Sequence, residues 1–136
     1  MNKKSLILGT LASFVVMFGV GFVWHIGLFE TAYHKLNYAS RAEILMPFII
    51  FGELIRAFLM AFIYPYGYKG GLGLTEGLRF GLLSNLLIAG TMLPIVFGLH
   101  NLTNFSCYVL LEGGFLLLTG GIGGIVIGAI HEKMKT

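Results

Sequence analysis

Four apolar blocks, each long enough to cross a bilayer, constrain this chain more than any other feature of its sequence. They cover about residues 5–28, 44–66, 74–99 and 106–130. A block of about 20 apolar residues matches the hydrocarbon thickness of a membrane, and a segment in lipid must satisfy its own backbone hydrogen bonds. The sequence therefore predicts an all-α integral membrane protein, in which a single domain over residues 1–136 forms an antiparallel bundle of four transmembrane helices.

The composition agrees with this class. Charged residues make up 11% of the 136 residues and hydrophobic residues 57%, whereas soluble domains carry about 25% charged residues. The basic residues stand at the ends of the apolar blocks, so the net charge of +3 does not indicate nucleic-acid binding. The first block is longer than the apolar core of a signal peptide and no A-x-A site follows it, so we expect it to be retained as the first span.

The connections and prolines predict how the spans are arranged. Short connections favour antiparallel packing of consecutive helices. Pro47 falls in the first turn of the second span, where a missing N–H group is harmless, and Pro94 falls inside the third span, where a kink is expected.

The basic residues also predict an orientation. One side of the membrane carries Lys3, Lys4, Lys69, Lys133 and Lys135, and the other side carries Lys35 and Arg41. By the positive-inside rule, this difference places both termini in the cytoplasm, with the chain in the inner (plasma) membrane.

Each predicted span has one helical face on which small residues accompany polar ones. At a spacing of four residues these faces are, in chain order, Gly9-Ser13-Met17-Gly21-His25, Glu53-Ala57-Ala61-Pro65, Gly77-Gly81-Asn85-Ala89 and Glu112-Leu116-Gly120-Gly124-Gly128. Small residues allow membrane helices to approach closely, and polar groups beside them can form hydrogen bonds across the interface. We therefore expect all four faces to point into the bundle.

Glu53 and Arg56 lie in the middle of the second block. An ionisable side chain at this depth costs about 2.5–3.5 kcal/mol on insertion scales, so it usually faces protein or water. A hairpin turn near residues 69–70 would set Glu53 level with about Asn85. Three interpretations follow: a structural ion pair joined to Asn85, a carboxylate that binds a ligand or a proton, or a docking surface for another membrane subunit.

Glu112 and His25 are the other candidates for binding a ligand or a proton. Glu112 has no charged neighbour in the sequence, so it must be protonated or find a partner on another helix. Hairpin geometry sets Glu112 and His25 in the same outer half of the membrane as Glu53.

The remaining motifs indicate packing. Glu76 and Arg79 form a second acid–base pair near the cytoplasmic interface, where snorkelling or capping is the ordinary explanation. Gly120, Gly124 and Gly128 form a small-residue motif that serves packing within one chain or between two. The glycine clusters match no nucleotide-binding motif, no nucleophile stands with a base, and the histidines have no diagnostic metal-ligand spacing. We therefore predict no enzyme, no metal and no cofactor.

One segment resembles a known family. The stretch from Gly19 to Phe29, which ends in Trp24-His25-Ile26-Gly27-Leu28-Phe29, resembles the W-x-G-x-L-F ending of the first span in a family of small bacterial four-span membrane proteins without an assigned function. The chain departs from that family over residues 25–29, where Tyr-Gly-Pro-Leu-Phe is usual, and it carries more charge inside the membrane. The resemblance implies a four-span fold with a glycine-rich last helix, and it implies no activity.

From these residues we expect a small inner-membrane protein that transports or binds a small ligand or a proton through an intramembrane cluster of Glu53, Arg56 and Asn85. The alternative is a non-catalytic accessory or assembly subunit whose charges dock onto a larger membrane complex. Four short helices enclose little space, so the expected partners, besides the lipid bilayer, are further copies of this chain in a homo-oligomer or another membrane subunit.

Overall fold

The computed structural model describes residues 2–38 and 45–134 of the chain. The described part is helical and contains no strand. Four of its helices are long and apolar enough to cross a membrane: Lys3–Leu28, Met46–Gly67, Gly73–Leu99 and Phe105–Lys133. The predicted all-α, four-span fold is confirmed, and the chain is a multi-pass membrane protein. The predicted start of the second span near residue 44, and the charges of Arg41 and Lys135, lie outside the described residues.

Two spans change their helical pitch part-way along. In chain order the α-helices are α1 (Lys3–Phe22), α2 (Glu30–Lys35), α3 (Met46–Gly67), α4 (Gly73–Leu99), α5 (Phe105–Tyr108) and α6 (Gly114–Lys133). A π-helical segment, Val23–Leu28, completes the first span after α1, and a second one, Val109–Gly113, joins α5 to α6. The sequence analysis predicted neither segment, because one widened turn leaves no clear signature in residue spacing.

The ends of the helices follow from local chemistry. Asn2 accepts a hydrogen bond from the backbone of Lys4 at 3.0 Å and so caps α1. Pro47 occupies the first turn of α3, as predicted. Pro94 lies inside α4, also as predicted, and α3 continues past Pro65 to Gly67.

Both termini lie at the same end of the bundle, where the Asn2 side chain donates a hydrogen bond to the Met134 carbonyl at 3.1 Å. We call this the terminal end, and the other the opposite end. The first span packs on the second and the fourth, and the third span packs on the fourth. The second and third spans, although consecutive, make few close backbone approaches and meet mainly through long side chains such as Tyr64 and Phe80.

Facing glycines bring α4 and α6 into backbone contact. Gly73, Gly77 and Gly81 of α4 lie against the glycines of the predicted packing motif of α6, which are Gly128, Gly124 and Gly120. A Cβ atom added to any of these six glycines would overlap with the facing helix. The motif therefore packs within one chain, and we call this interface the glycine seam.

The first and second spans are close only near the terminal end. There Gly9 faces Ala61, and the core around them includes the buried residues Met17, Ala57 and Tyr64. Towards the opposite end a cavity lies between the same two helices. The inward faces predicted from the sequence are thus confirmed, but they enclose a cavity on one side of the bundle.

Candidate functional site

A cavity of about 710 Å³ lies between the first and second spans, in the half of the bundle nearer the opposite end. Most of its wall is apolar and aromatic, including Phe18, Phe22, Phe48, Ile49 and Phe115. Glu53 and His25 are the ionisable residues in its lining. Two of the five candidates for binding a ligand or a proton therefore share one cavity.

Glu53 lies one helical turn before Arg56, and the two side chains form an ion pair. Both carboxylate oxygens of Glu53 accept from Nη1 of Arg56, at 3.1 and 3.3 Å. The side chains are 12% exposed for Arg56 and 21% for Glu53, so the charges are largely removed from solvent and stabilise each other. The two side chains are therefore paired within their own helix, and the carboxylate is the more accessible partner.

Every nitrogen of the Arg56 guanidinium has an acceptor. Its Nε and Nη2 atoms donate to Oδ1 of Asn85, Nη2 also donates to the Thr119 hydroxyl at 2.9 Å, and Nη1 donates to Glu53. A guanidinium presents its N–H donors in a fixed plane, and here all three nitrogens donate to side chains of the same protein. Arg56 therefore ties the second span to the third and the fourth.

Asn85 is fully buried and held in one orientation. Its amide group donates to the Gly81 carbonyl at 2.9 Å, which directs its oxygen towards Arg56. The side chain fits because the facing residue of α6 is Gly120, where an added Cβ would overlap with the Asn85 amide. The glycine seam therefore makes room for the acceptor that holds Arg56. It is Arg56, and not Glu53, that contacts Asn85, because the guanidinium is long enough to cross between the spans.

A second polar cluster joins His25, Glu112 and Tyr33. Nε2 of His25 lies 3.4 Å from Oε2 of Glu112, and the Tyr33 hydroxyl donates to the same oxygen at 2.7 Å. Nδ1 of His25 contacts the Gly21 carbonyl at 3.0 Å. Of the two alternatives that the sequence left for Glu112, protonation or a partner on another helix, the structure shows a partner in His25. His25 also connects this cluster to the cavity.

Aromatic rings surround the second cluster. The His25 ring stacks on Tyr33 with centroids 4.9 Å apart and meets the edge of Phe115 at 4.5 Å. Tyr33 comes from the short helix α2, outside the spans, and is almost fully buried. Burial and the neighbouring Glu112 carboxylate raise the pKa of Tyr33 above its ordinary value, so its hydroxyl remains a hydrogen-bond donor at neutral pH.

Both members of the His25–Glu112 pair stand on π-helical segments. His25 belongs to Val23–Leu28 and Glu112 to Val109–Gly113. A π-helical turn inserts a residue into an α-helix and re-aims the side chains around it, and such turns are frequent at functional sites. In this protein, the two π-helical segments each supply one residue of the His25–Glu112 contact.

The other pair of the sequence analysis lies away from both clusters. Glu76 and Arg79 form an ion pair of 2.7 Å at the terminal end, and Glu76 also accepts from the backbone of Lys69 at 3.4 Å. The sequence predicted snorkelling or capping for this pair, and the contact of Glu76 with the Lys69 backbone is of the capping kind. Among residues 2–38 and 45–134, no group of three metal-ligating side chains is found.

Two site residues were missed by the sequence analysis. Thr119 is fully buried and accepts from Arg56; its only signal was its place beside Gly120, on the inward face of the fourth span. Tyr33 had no such signal, because nothing in a connecting segment reveals that its side chain turns back into the bundle.

The fold and the two clusters define a class: a four-span membrane protein with an intramembrane ion pair beside an apolar cavity. The chain matches no family model, no curated protein and no solved structure. The resemblance of its first-span ending to a family of bacterial four-span proteins stays a prediction.

Proposed function

We propose that this protein binds a small, mostly apolar ligand in the cavity between the first and second spans, and that the Glu53 carboxylate accepts a hydrogen bond from the polar group of that ligand. A transport role, as expected from the sequence, would use this binding step. The observation that carries the proposal is the position of Glu53, which lines the cavity at membrane depth while its charge is balanced by Arg56.

The charge balance of the pair favours a particular ligand chemistry. Glu53 and Arg56 together are neutral, and all three guanidinium nitrogens of Arg56 already donate to side chains of the protein. A carboxylate has about four lone-pair positions, and Arg56 approaches it with a single nitrogen. A ligand with a neutral donor, such as a hydroxyl or an uncharged amine, can therefore bind Glu53 without adding a net charge to the membrane interior.

The cavity suits the apolar part of such a ligand. Its volume of about 710 Å³ falls within the range of about 300–1,000 Å³ that is usual for small-molecule sites, which are typically apolar with few polar groups. Phe18, Phe22 and Phe48 supply aromatic surface on both sides of the cavity.

The contacts of the ion pair favour ligand binding over the alternative of an accessory subunit. A subunit that docks through its intramembrane charges needs those charges on its outer surface. Arg56 instead donates hydrogen bonds to Glu53, Asn85 and Thr119 of its own chain. Assembly into a homo-oligomer stays a prediction from the small size of the bundle.

The distribution of lysines supports a cytoplasmic location for both termini, in the inner (plasma) membrane. Lys3, Lys4, Lys69 and Lys133 are exposed at the terminal end, and Lys35 is exposed at the opposite end. Under the positive-inside rule, the cavity then lies in the outer half of the membrane.

The proposal can be tested with 1-aminoanthracene, a fluorescent aromatic molecule with an uncharged amine. Trp24 is the single tryptophan, and its ring lies 6.2 Å from Phe115 of the cavity wall. Energy transfer from Trp24 to the probe therefore reports occupation of the cavity. We expect saturable transfer in the purified protein and an apparent Kd raised by about tenfold or more in Glu53→Gln, since a hydrogen bond to a charged group contributes about 1.5–3 kcal/mol.

Glu76→Gln is the matched control, because Glu76 forms the same type of pair with Arg79 away from the cavity. This variant should bind the probe like the wild type. Equal binding by the Glu53→Gln protein would refute the proposal. A large loss of thermal stability in that variant, without saturable transfer in the wild type, would instead support a purely structural ion pair.

A further inference from the structure

The His25–Glu112 contact has a hydrogen-bond pattern that fixes how many protons it holds. A backbone carbonyl can only accept a hydrogen bond. The Gly21 carbonyl, 3.0 Å from Nδ1 of His25, therefore requires a proton on Nδ1. The neutral imidazole then presents an unprotonated Nε2 towards Glu112.

An unprotonated Nε2 cannot face an ionised carboxylate favourably, because both groups are acceptors. The contact becomes attractive when one proton is added, either on Nε2 to give an imidazolium beside a carboxylate, or on Glu112 to give a carboxylic acid that donates to Nε2. The Tyr33 hydroxyl, which donates to Oε2 of Glu112 at 2.7 Å, stabilises the ionised form of the acid. In both arrangements the pair holds one proton.

We propose that His25, Glu112 and Tyr33 form a proton-binding site, separate from Glu53, in which imidazole and carboxyl group share a single proton. The site goes beyond ligand binding at Glu53, and it stands on contacts that do not involve the Glu53–Arg56 pair. His25 lines the cavity with a side chain that is 34% exposed, so the shared proton has a route out of the protein.

Among the described residues, the ionisable groups that interact with the pair include no further cation. The ionisable groups around the pair are Tyr33 and Tyr38 from α2 and the residues after it, Tyr108 from α5, and Glu53 across the cavity. None of these groups carries a positive charge at neutral pH.

Arg56 of the second span is bound to Glu53, and the third and fourth spans carry their charged residues at the terminal end. In α4, the charged residues Glu76 and Arg79 belong to its first two turns, at the terminal end. The charged residues of α6 are Glu132 and Lys133, also at the terminal end. Within the described residues, His25 is therefore the hydrogen-bond partner of Glu112 that can carry a positive charge.

Nuclear magnetic resonance of ¹⁵N-histidine in the protein, reconstituted in lipid without any ligand, tests this inference. The His25 signal is identified by its loss in His25→Gln. Across about pH 5 to pH 9, we expect Nδ1 to stay protonated while Nε2 exchanges its proton. In Glu112→Gln the midpoint of the Nε2 titration should move by about one pH unit or more, since a charged partner at this distance shifts a titration by that amount.

Glu30→Gln is the matched control, because Glu30 is an exposed carboxylate at the same end of the bundle. In Glu30→Gln, the midpoint of the His25 Nε2 titration should equal that of the wild type. An unchanged midpoint in Glu112→Gln would overturn the inference, as would a neutral His25 protonated on Nε2.

Tyr33→Phe provides a second test that keeps both titrating groups. It removes one hydrogen bond to Glu112, and we expect a smaller shift of the His25 midpoint than in Glu112→Gln. An unchanged midpoint would exclude Tyr33 from the site. Because no ligand is present, these results do not depend on whether the cavity binds 1-aminoanthracene.

Discussion

The interface between α4 and α6 and the interface between α1 and α3 begin from the same sequence pattern and reach different structures. Along the glycine seam, small residues face small residues at three successive levels, so the backbones touch. Between α1 and α3, the close approach of Gly9 to Ala61 is not repeated towards the opposite end. There Phe18 and Phe48 line a cavity instead. Small residues close an interface only where both helices supply them at the same level.

Under the proposed function, the difference separates the interface that supports the ion pair from the interface that binds the ligand. The glycine seam positions Asn85, which holds Arg56, which in turn holds Glu53 at the cavity. The open interface then leaves the carboxylate accessible. We expect substitutions in the seam to affect stability and substitutions in the cavity to affect binding, and the following predictions test that division from the largest expected effect to the smallest.

Gly81→Leu should destroy the seam. Its side chain would overlap with the Gly120 backbone, and overpacking against an immobile backbone costs about 3 kcal/mol or more. We expect loss of the folded bundle, measured by thermal unfolding in detergent. Gly90→Leu in the same helix is the control, because an added Cβ there meets no atom within 4 Å. Equal melting temperatures for the two variants would contradict the close backbone contact.

Asn85→Leu tests whether the ion pair of Glu53 and Arg56 depends on Asn85 at the glycine seam. It leaves two donors of the largely buried Arg56 without their acceptor, which we expect to cost about 2–3 kcal/mol. The melting temperature should fall clearly, whereas Ser84→Ala on the neighbouring, half-buried position should change it little. If the Asn85→Leu protein melts like the wild type, Arg56 does not depend on the seam.

Ile49→Phe tests the cavity between α1 and α3. Ile49 lines the cavity, so the larger ring can occupy space that is already present. We expect a change in unfolding free energy below about 1.5 kcal/mol together with weaker binding of 1-aminoanthracene. Ile63→Phe, on the lipid-exposed part of the same helix, should change neither. A strong destabilisation by Ile49→Phe would show that this side is packed as tightly as the seam.

The sequence predicted the architecture well because lipid leaves few choices. Long apolar blocks in a membrane must be helices, and small residues at a spacing of four identify their inward faces, as the burial of Ser13, Ala57, Gly81 and Gly124 confirms. The ion pair between Glu53 and Arg56 was predictable too, because a spacing of three places both side chains on one side of a helix.

The side-chain contacts between different helices could not be predicted from the sequence. Helical spacing shows that Glu112 needs a partner, but it does not show which of four helices supplies it. The π-helical segments re-aim His25 and Glu112 by an amount that no residue spacing records. Tyr33 reaches the cluster because α2 folds back against the bundle. Asn85 contacts Arg56 and not Glu53 because the arginine side chain is long enough to cross between the spans.

The sequence by itself determined four membrane spans, their inward faces and the presence of costly charges between them, because these depend on local composition and helical period. Only the tertiary structure decided that one interface closes on glycines while another keeps a cavity, and that Arg56 contacts Glu53, Asn85 and Thr119 while His25 contacts Glu112. These outcomes depend on which helices meet and at what level, and that is set by the packing of the whole bundle.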